Sequence, residues 1–289
     1  MKKKAPPFAS YEWKIAWRYL RAKRAEGGVS VMTWISLIGI TLAVFALVAT
    51  LSVRSGFRTE IVDTILGSNS HITLYKTLTQ DQYGNIDRGF EDYNDVASNL
   101  LSLPGVKRSA PLIRSQIMAT YDNRNIGLEV FGISYKNLLG LERIAKPEQY
   151  SGDINDFENG ISIGSGVARE LGVQVGDKIK LISPNGVRTA FGTSPRVKQF
   201  EIVYIFTAGR YDIDRTRSYL PFSIAQEYFN REGLADEIEV LLDNPSNLTE
   251  AISHIENIVD PNIQLWTWRD ASSSFLRALD IEDNVMFVL

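Results

Sequence analysis

Five residues, Gly160-Ile161-Ser162-Ile163-Gly164, have the spacing G-x-S-x-G. In serine hydrolases that spacing sets a nucleophilic hydroxyl on a sharp turn between a strand and a helix, beside a histidine base. Here Ser162 lies inside the apolar run that reads as the strand, and the turn comes later, at Gly164-Ser165-Gly166. Only two histidines occur, His71 and His254, and His254 would have to act from a helix between Glu250 and Glu256. Both are expected at the surface, and two cannot make a three-histidine metal site. The absence of cysteine excludes a disulfide framework, a thiol nucleophile and a thiolate zinc site. No G-x-x-x-x-G-K-[ST] loop offers a phosphate cradle. The acids of "YGNID" and "SGDINDFENG" are scattered through loops, and Asn247 is expected to cap a helix. No catalytic residue and no metal ligand is assigned.

A different stretch carries more information. "LISPNGVRTAFGTSPRVKQF", residues 181–200, separates two strand-like runs. Asn185-Gly186 would suffice for a two-residue hairpin turn. The chain instead continues through Arg188, Phe191, Gly192, Pro195, Arg196 and Lys198 before the second strand settles. The pattern is that of a long basic arm with one aromatic residue near its middle.

The elements that would position this arm begin with a charge asymmetry. The 289 residues carry a net charge of −3, which gives no reason to expect nucleic acid as a partner. Residues 1–28, however, hold eight Lys or Arg and two acids, and the remainder is strongly acidic. Val29–Val53 follows, 25 residues without a charge. At about 1.5 Å per residue such a helix exceeds a hydrocarbon core of about 30 Å. It is longer than the apolar core of a signal peptide, so an uncleaved anchor is expected, with the basic N-terminus in the cytoplasm. Within residues 1–28, Trp13, Trp17 and Leu20 form an apolar stripe beside Lys14, Arg18 and Arg21. That pairing suits a helix lying in the cytoplasmic interface. Residues 54–67 read as a helical stalk that stops at Gly67.

Residues 68–270 then form the external domain. "HITLY", a helix over "FEDYNDVASNLLSLPG", and the strands "VKRSAPLIRSQIMATY" and "IGLEVFGIS" open it. "EIEVLLD", the helix "PSNLTEAISHIENIVD" and "NIQLWTW" close it. The expected class is α+β: two β-α-β units flanking a β-rich insertion at about residues 135–235. Residues 271–289 begin as an amphipathic helix and end in "VMFVL", expected to start a second transmembrane helix.

The run "ISIGSGVARELGVQVGDKIKLISP" resembles the extracytoplasmic core domain of FtsX/MacB-type ABC transporter permeases. "WISLIGITLAVFALVATLSVRSGFRTEIVDTILG" and "WTWRDASSSFLRALDIEDNVMFVL" resemble the ends of that domain in lipoprotein-releasing permeases of the LolC/LolE type. The resemblance implies a MacB-like periplasmic core on an inner-membrane permease subunit without its own catalytic site or cofactor. ATP would be bound by a separate, LolD-like ATPase subunit, and a second permease subunit would complete the membrane part. Lipoproteins would be drawn from the membrane and passed to the periplasmic chaperone LolA. The arm falls where such permeases carry a chaperone-binding hook, here Pro184, Arg188, Phe191, Gly192, Pro195, Arg196 and Lys198. Phe191 would enter an apolar groove while the basic residues steer toward an acidic rim. Ala190 stands where that hook carries a proline, which leaves a LolC-like, a LolE-like and a combined role open. Phe45, Val48, Leu51 and Arg54 would contact the lipoprotein. The rival readings are an FtsX-like transmitter of motion to a periplasmic partner, a MacB-like efflux component and a membrane-anchored enzyme.

Overall fold

A computed structural model describes residues 10–20, 27–77, 79–80, 86–87, 89–189, 192–245, 247–274, 276–278 and 281. The chain divides into two compact units, Met1–Ile61 and Val62–Leu289.

The first unit holds helix α1 (Ser10–Leu20) and most of helix α2 (Gly27–Ser68). Trp13 and Trp17 are exposed on α1, one helical turn apart. The span Val31–Phe57 of α2 is long and apolar enough to cross a bilayer, and its large apolar side chains face outward. A helix that shows hydrophobic residues on every side has lipid, not a protein core, as its natural solvent.

Helix α2 ends one residue beyond the expected stop. Gly67 lies inside it, and its lack of a side chain has another use. A Cβ there would come within 2.7 Å of Cγ of Arg143, so the glycine admits that side chain.

The second unit is built on one ten-stranded sheet. Strand β1 (Ile72–Lys76) is followed by the short pair β2 (Thr79–Gln80) and β3 (Ile86–Asp87). Helix α3 (Tyr93–Leu101) leads to the hairpin β4 (Val106–Tyr121) and β5 (Arg124–Ile133). The turn between them is made by Asp122, at φ 49°, and Asn123, both of types that tolerate tight hairpin turns. Helices α4 (Tyr135–Leu138) and α5 (Glu142–Ala145), strand β6 (Tyr150–Gly152) and a 3-10 turn (Ile154–Asn159) come next. Strand β7 (Ile161–Gly164), helix α6 (Ser165–Leu171) and the hairpin β8 (Lys178–Thr189) and β9 (Gly192–Phe206) follow. Helix α7 (Tyr211–Thr216), strand β10 (Arg217–Pro221) and helix α8 (Phe222–Phe229) lead to β11 (Glu237–Leu242), α9 (Leu248–Glu256), β12 (Ile263–Thr267) and α10 (Trp268–Ala271).

The two β-α-β units are present and interlocked. β1 pairs antiparallel with both β11 and β12, and β11 pairs antiparallel with β4. Each unit therefore holds a strand of the other between its own two parallel strands, the split arrangement of ferredoxin-like folds. The strands of residues 135–235 continue the same sheet through β5, in the order β5-β10-β7-β9. β8 pairs with both β9 and β4, so six strands close into a ring. Its apolar interior includes Ile113, Ile117, Leu128, Val130, Ile163, Ile179, Leu181 and Phe200, joined by Ala225 and Tyr228 of α8. A second core, with Phe131, Ile144, Phe157, Tyr204, Phe206 and Tyr219, lies elsewhere in the domain.

Two sequence expectations are corrected. His71 is buried, not superficial. Its Nδ1 accepts the backbone N–H of Leu242 at 2.9 Å. Burial, with the charges of Arg108 and Lys107 adding to it, pushes its pKa down to about 4. Asn247 stands at the N-cap of α9, but its side chain makes no capping bond.

Candidate functional site

The arm is a hairpin whose ladder breaks partway out. From Lys178↔Glu201 to Ser183↔Arg196 the two strands pair residue for residue. Pairing resumes at Val187↔Ser194 and ends at Thr189↔Gly192. Pro184, Asn185 and Gly186 thus oppose Pro195 alone. Proline has no N–H to give to a ladder, and a proline on each strand at one level makes pairing there unfavourable. The chain therefore passes over its Asn-Gly pair as part of a bulge, and the ladder runs on to Thr189↔Gly192. Among the described residues, the arm beyond Ser183 pairs only with itself.

The structure places the expected hook residues in three groups. Pro184 and Pro195 are exposed at the bulge. Arg188 and Gly192 occupy ladder positions beyond it, opposite Thr193 and Thr189. Phe191 lies outside the described residues. Arg196 and Lys198 sit below the bulge and are already engaged. Arg196 Nη1 donates to the carbonyl oxygens of Glu227 and Tyr228, at 2.5 and 3.1 Å, in the last turn of α8. Cations are favoured at a helix C-terminus, where carbonyls lack intrahelical partners. Lys198 Nζ lies 3.4 Å from Oε1 of Glu227 and 5.6 Å from the ring centroid of Phe200.

A cavity of about 620 Å³ opens at the foot of the arm. Its lining includes Gln116, Met118, Gly127, Ile182, Pro184 and Pro195. Met118 and Ile182 are register partners on the outer side of the strand ring, opposite the packed interior, and Met118 is half exposed. The arm's bulge forms one wall of this apolar groove.

On α2, Phe45, Val48 and Leu51 are exposed and follow one another at three-residue spacing, with Arg54 next in the series. Ser162 is fully buried in β7 and has no helix turn at its hydroxyl, as expected from its place inside the strand. Among the described residues, no group of three or more His, Asp or Glu is placed to hold a metal ion.

Sequence reasoning missed a partly buried charged cluster around Phe131. Arg114 and Arg217 stand over its ring, their guanidinium carbons 5.3 and 4.6 Å from the centroid. Arg114 donates through Nε and Nη2 to Oε1 of Glu129 at 2.9 and 2.7 Å, and Glu237 lies 3.5 Å away. Arg217 donates to Oδ1 of Asn69, immediately after α2, at 2.9 Å. Arg108 pairs with Glu239 at 3.0 Å with both side chains largely buried. Burial, reinforced by Glu239 and Asp236 and opposed by Arg114, raises the Glu237 pKa to about 7. The available signal was the alternation in "EIEV", which puts Glu237 and Glu239 on one face of a strand.

Residues 33–258 match the model of the MacB-like periplasmic core domain. The chain belongs to that family. The matched span runs from α2 through α9 and holds the strand ring and the arm. The chain is 28% identical over 291 aligned positions to the lipoprotein-releasing system transmembrane protein LolC of Neisseria meningitidis, covering 97% of this chain and 66% of that one. It is 25% identical to the LolE protein of Haemophilus influenzae, covering 95% of this chain and 65% of that one. The chain therefore spans just under two thirds of the length of these relatives. The periplasmic region of MacB from Actinobacillus actinomycetemcomitans superposes with a TM-score of 0.47 at 10% identity, over 74% of this chain and 95% of that one. These matches make the chain similar to permeases of the LolC/LolE type, with one apolar N-terminal helix before a MacB-like core.

Proposed function

We propose that this chain is part of a permease subunit of an ABC transporter in the bacterial inner membrane, and that it helps pass lipoproteins to the periplasmic chaperone LolA. The observation that carries the reading is the β8–β9 arm. It outruns its sheet and breaks its own ladder at two prolines, on a chain similar to LolC along nearly its whole length. Among the described residues, the arm beyond its break pairs only with itself, which leaves the outer backbone edges of the ribbon to a partner. Arg188 and Phe191 at the outer end would supply charge and an aromatic anchor, the residue types that dominate binding energy at interfaces. Arg196 and Lys198 serve the arm's foot rather than its tip. A LolD-like ATPase subunit binds and hydrolyses ATP, and a second permease subunit completes the membrane part. Phe45, Val48, Leu51 and Arg54 on α2 offer an apolar wall with a cation near its outer end, suited to acyl chains and an anionic headgroup.

The test is a titration of LolA, from the same organism, against the full chain in detergent. A second chain, with residues 184–195 replaced by a short Gly-Ser turn, is titrated in parallel. The expected result is saturable binding to the first and at least about a 100-fold weaker interaction with the second. No binding to either would overturn the chaperone role and favour an FtsX-like transmitter.

A further inference from the structure

The foot of the arm is held by two residues that grip each other's backbone. Arg196 of β9 reaches the carbonyl of Tyr228 with its guanidinium at 3.1 Å. Tyr228 of α8 reaches back with its hydroxyl, 2.8 Å from the carbonyl of Leu181 on β8 and 3.2 Å from that of Arg196 on β9. One phenol thus meets both strands of the hairpin, and one guanidinium ties β9 to the helix. The ring of Phe200 packs edge-on against Tyr228, its centroid 5.6 Å away, and closes the foot from below. Tyr228 is 1% exposed and Arg196 only half-buried, so the phenol is anchored in the core while the cation holds the rim.

The position of this clasp along the arm is what gives it meaning. Ser183↔Arg196 is the last pair before the ladder breaks at Pro184–Gly186 and Pro195. Below the break, the hairpin is bound to α8. Above it, the strands pair only with each other among the described residues. A self-paired two-stranded ribbon is marginal in water and twists freely about any gap in its ladder. The direction in which the tip leaves the domain is then set by the last rigid pair, and that pair is the one gripped by Tyr228.

We propose that Arg196 and Tyr228 are positioning residues for the arm: their reciprocal clasp fixes the foot against α8, confines bending to the proline break above it, and presents the tip in a direction prepared for its partner. The inference deepens the chaperone-docking reading and rests on it for the partner alone. Preorganisation of this kind lowers the ordering cost of binding without adding a contact.

The chain has no cysteine, so a pair of introduced cysteines can carry spin labels without background. Labels at Ala190→Cys on the tip and Glu158→Cys on the domain are read by pulsed electron resonance on the full chain in nanodiscs. The expected result is a broader distance distribution in Arg196→Lys and in Tyr228→Phe than in the unmodified background, with both variants still folded by circular dichroism. Lysine keeps the charge but loses the fork, and phenylalanine keeps the ring but loses the hydroxyl, so neither empties the core. In the unlabelled chain each variant is expected to weaken chaperone binding about 3- to 10-fold, through preorganisation alone. Unchanged distributions in both variants would overturn the clasp. Broader distributions with unchanged chaperone affinity would overturn its positioning role. Failure of the unmodified chain to bind the chaperone would instead remove the docking reading, and the distance distributions would still decide whether the clasp fixes the arm.

Discussion

Among the described residues, two long antiparallel hairpins of the domain are held in opposite ways. β4–β5 pairs without a break from Ile113↔Gly132 to Tyr121↔Arg124. It has neighbours on both flanks, β11 and β8 on one side and β10 on the other. β8–β9 begins in the same ring of strands but leaves it, breaks at its prolines and continues as a self-paired ribbon. The first hairpin takes its order from the sheet around it. The second must take its order from a few local contacts at its foot. Stability and presentation are thereby expected to separate: changes in the first hairpin should cost fold stability, and changes beyond the break of the second should not.

This contrast sets the size of the expected effects. The largest is the loss of chaperone binding, at least about 100-fold, when residues 184–195 are replaced, with the melting temperature shifted by no more than about 2 °C. A comparable fall in melting temperature would show that the arm is structural after all. The embedded hairpin should behave conversely. A Cβ at Gly132 would stand 2.2 Å from Cβ of Ala225 in α8 and 3.2 Å from that of Ile113. Gly132→Val is expected to cost about 3 kcal/mol and to lower the melting temperature by roughly 6–12 °C. The check is thermal denaturation followed by circular dichroism. A stable Gly132→Val chain would mean that α8 is not seated against β5 as described.

Smaller effects concern pH, and they belong to the embedded half. The folded pKa of His71 is about 4, below its ordinary value of 6.5. As pH falls from about 6.5 toward 4, the unfolded chain binds a proton that the folded chain refuses, so this residue lowers stability by up to about 3 kcal/mol. Glu237 acts with the opposite sign. Its folded pKa is about 7, above its ordinary value of 4.5. As pH rises from 4.5 to 7, the unfolded chain releases a proton that the folded chain retains, and stability falls. The two offset each other between about pH 4.5 and 6.5. In that window His71→Gln should leave a chain that grows more stable as pH falls, and Glu237→Gln one that grows less stable. Urea midpoints across the window decide this, and parallel slopes in the two variants would contradict it. The arm-replaced chain should keep the original profile, because neither group touches the arm.

Much of this was legible in the sequence, for reasons that differ by element. β4, β5, β11 and β12 were readable because alternation marks a strand whose two faces meet different surroundings. The apolar span of α2 was readable by length alone. The arm was readable as an excess, a chain that passes its own turn signal at Asn185-Gly186. The interlocking of the two β-α-β units was not readable, because pairing such as Ile72↔Val240 joins residues far apart in sequence. The same distance hid the clasp: Arg196 and Tyr228 lie 32 positions apart, and nothing local marks either as the other's partner. His71 was misjudged because its histidine type favours the surface on average, while one backbone N–H, that of Leu242, gives it a buried acceptor role. Residues 285–289 and Phe191 lie outside the described residues.

The central claim is that the arm tip, and not merely any exposed hairpin, meets the chaperone. Its most direct test sets the two hairpin tips against each other. A photoreactive phenylalanine analogue is placed at Phe191 in one chain and at Asn123, the turn of β4–β5, in another. Each is irradiated with the chaperone in nanodiscs. The account expects a crosslinked product from position 191 and none from position 123. Equal crosslinking from both tips, or a product from position 123 alone, would contradict it.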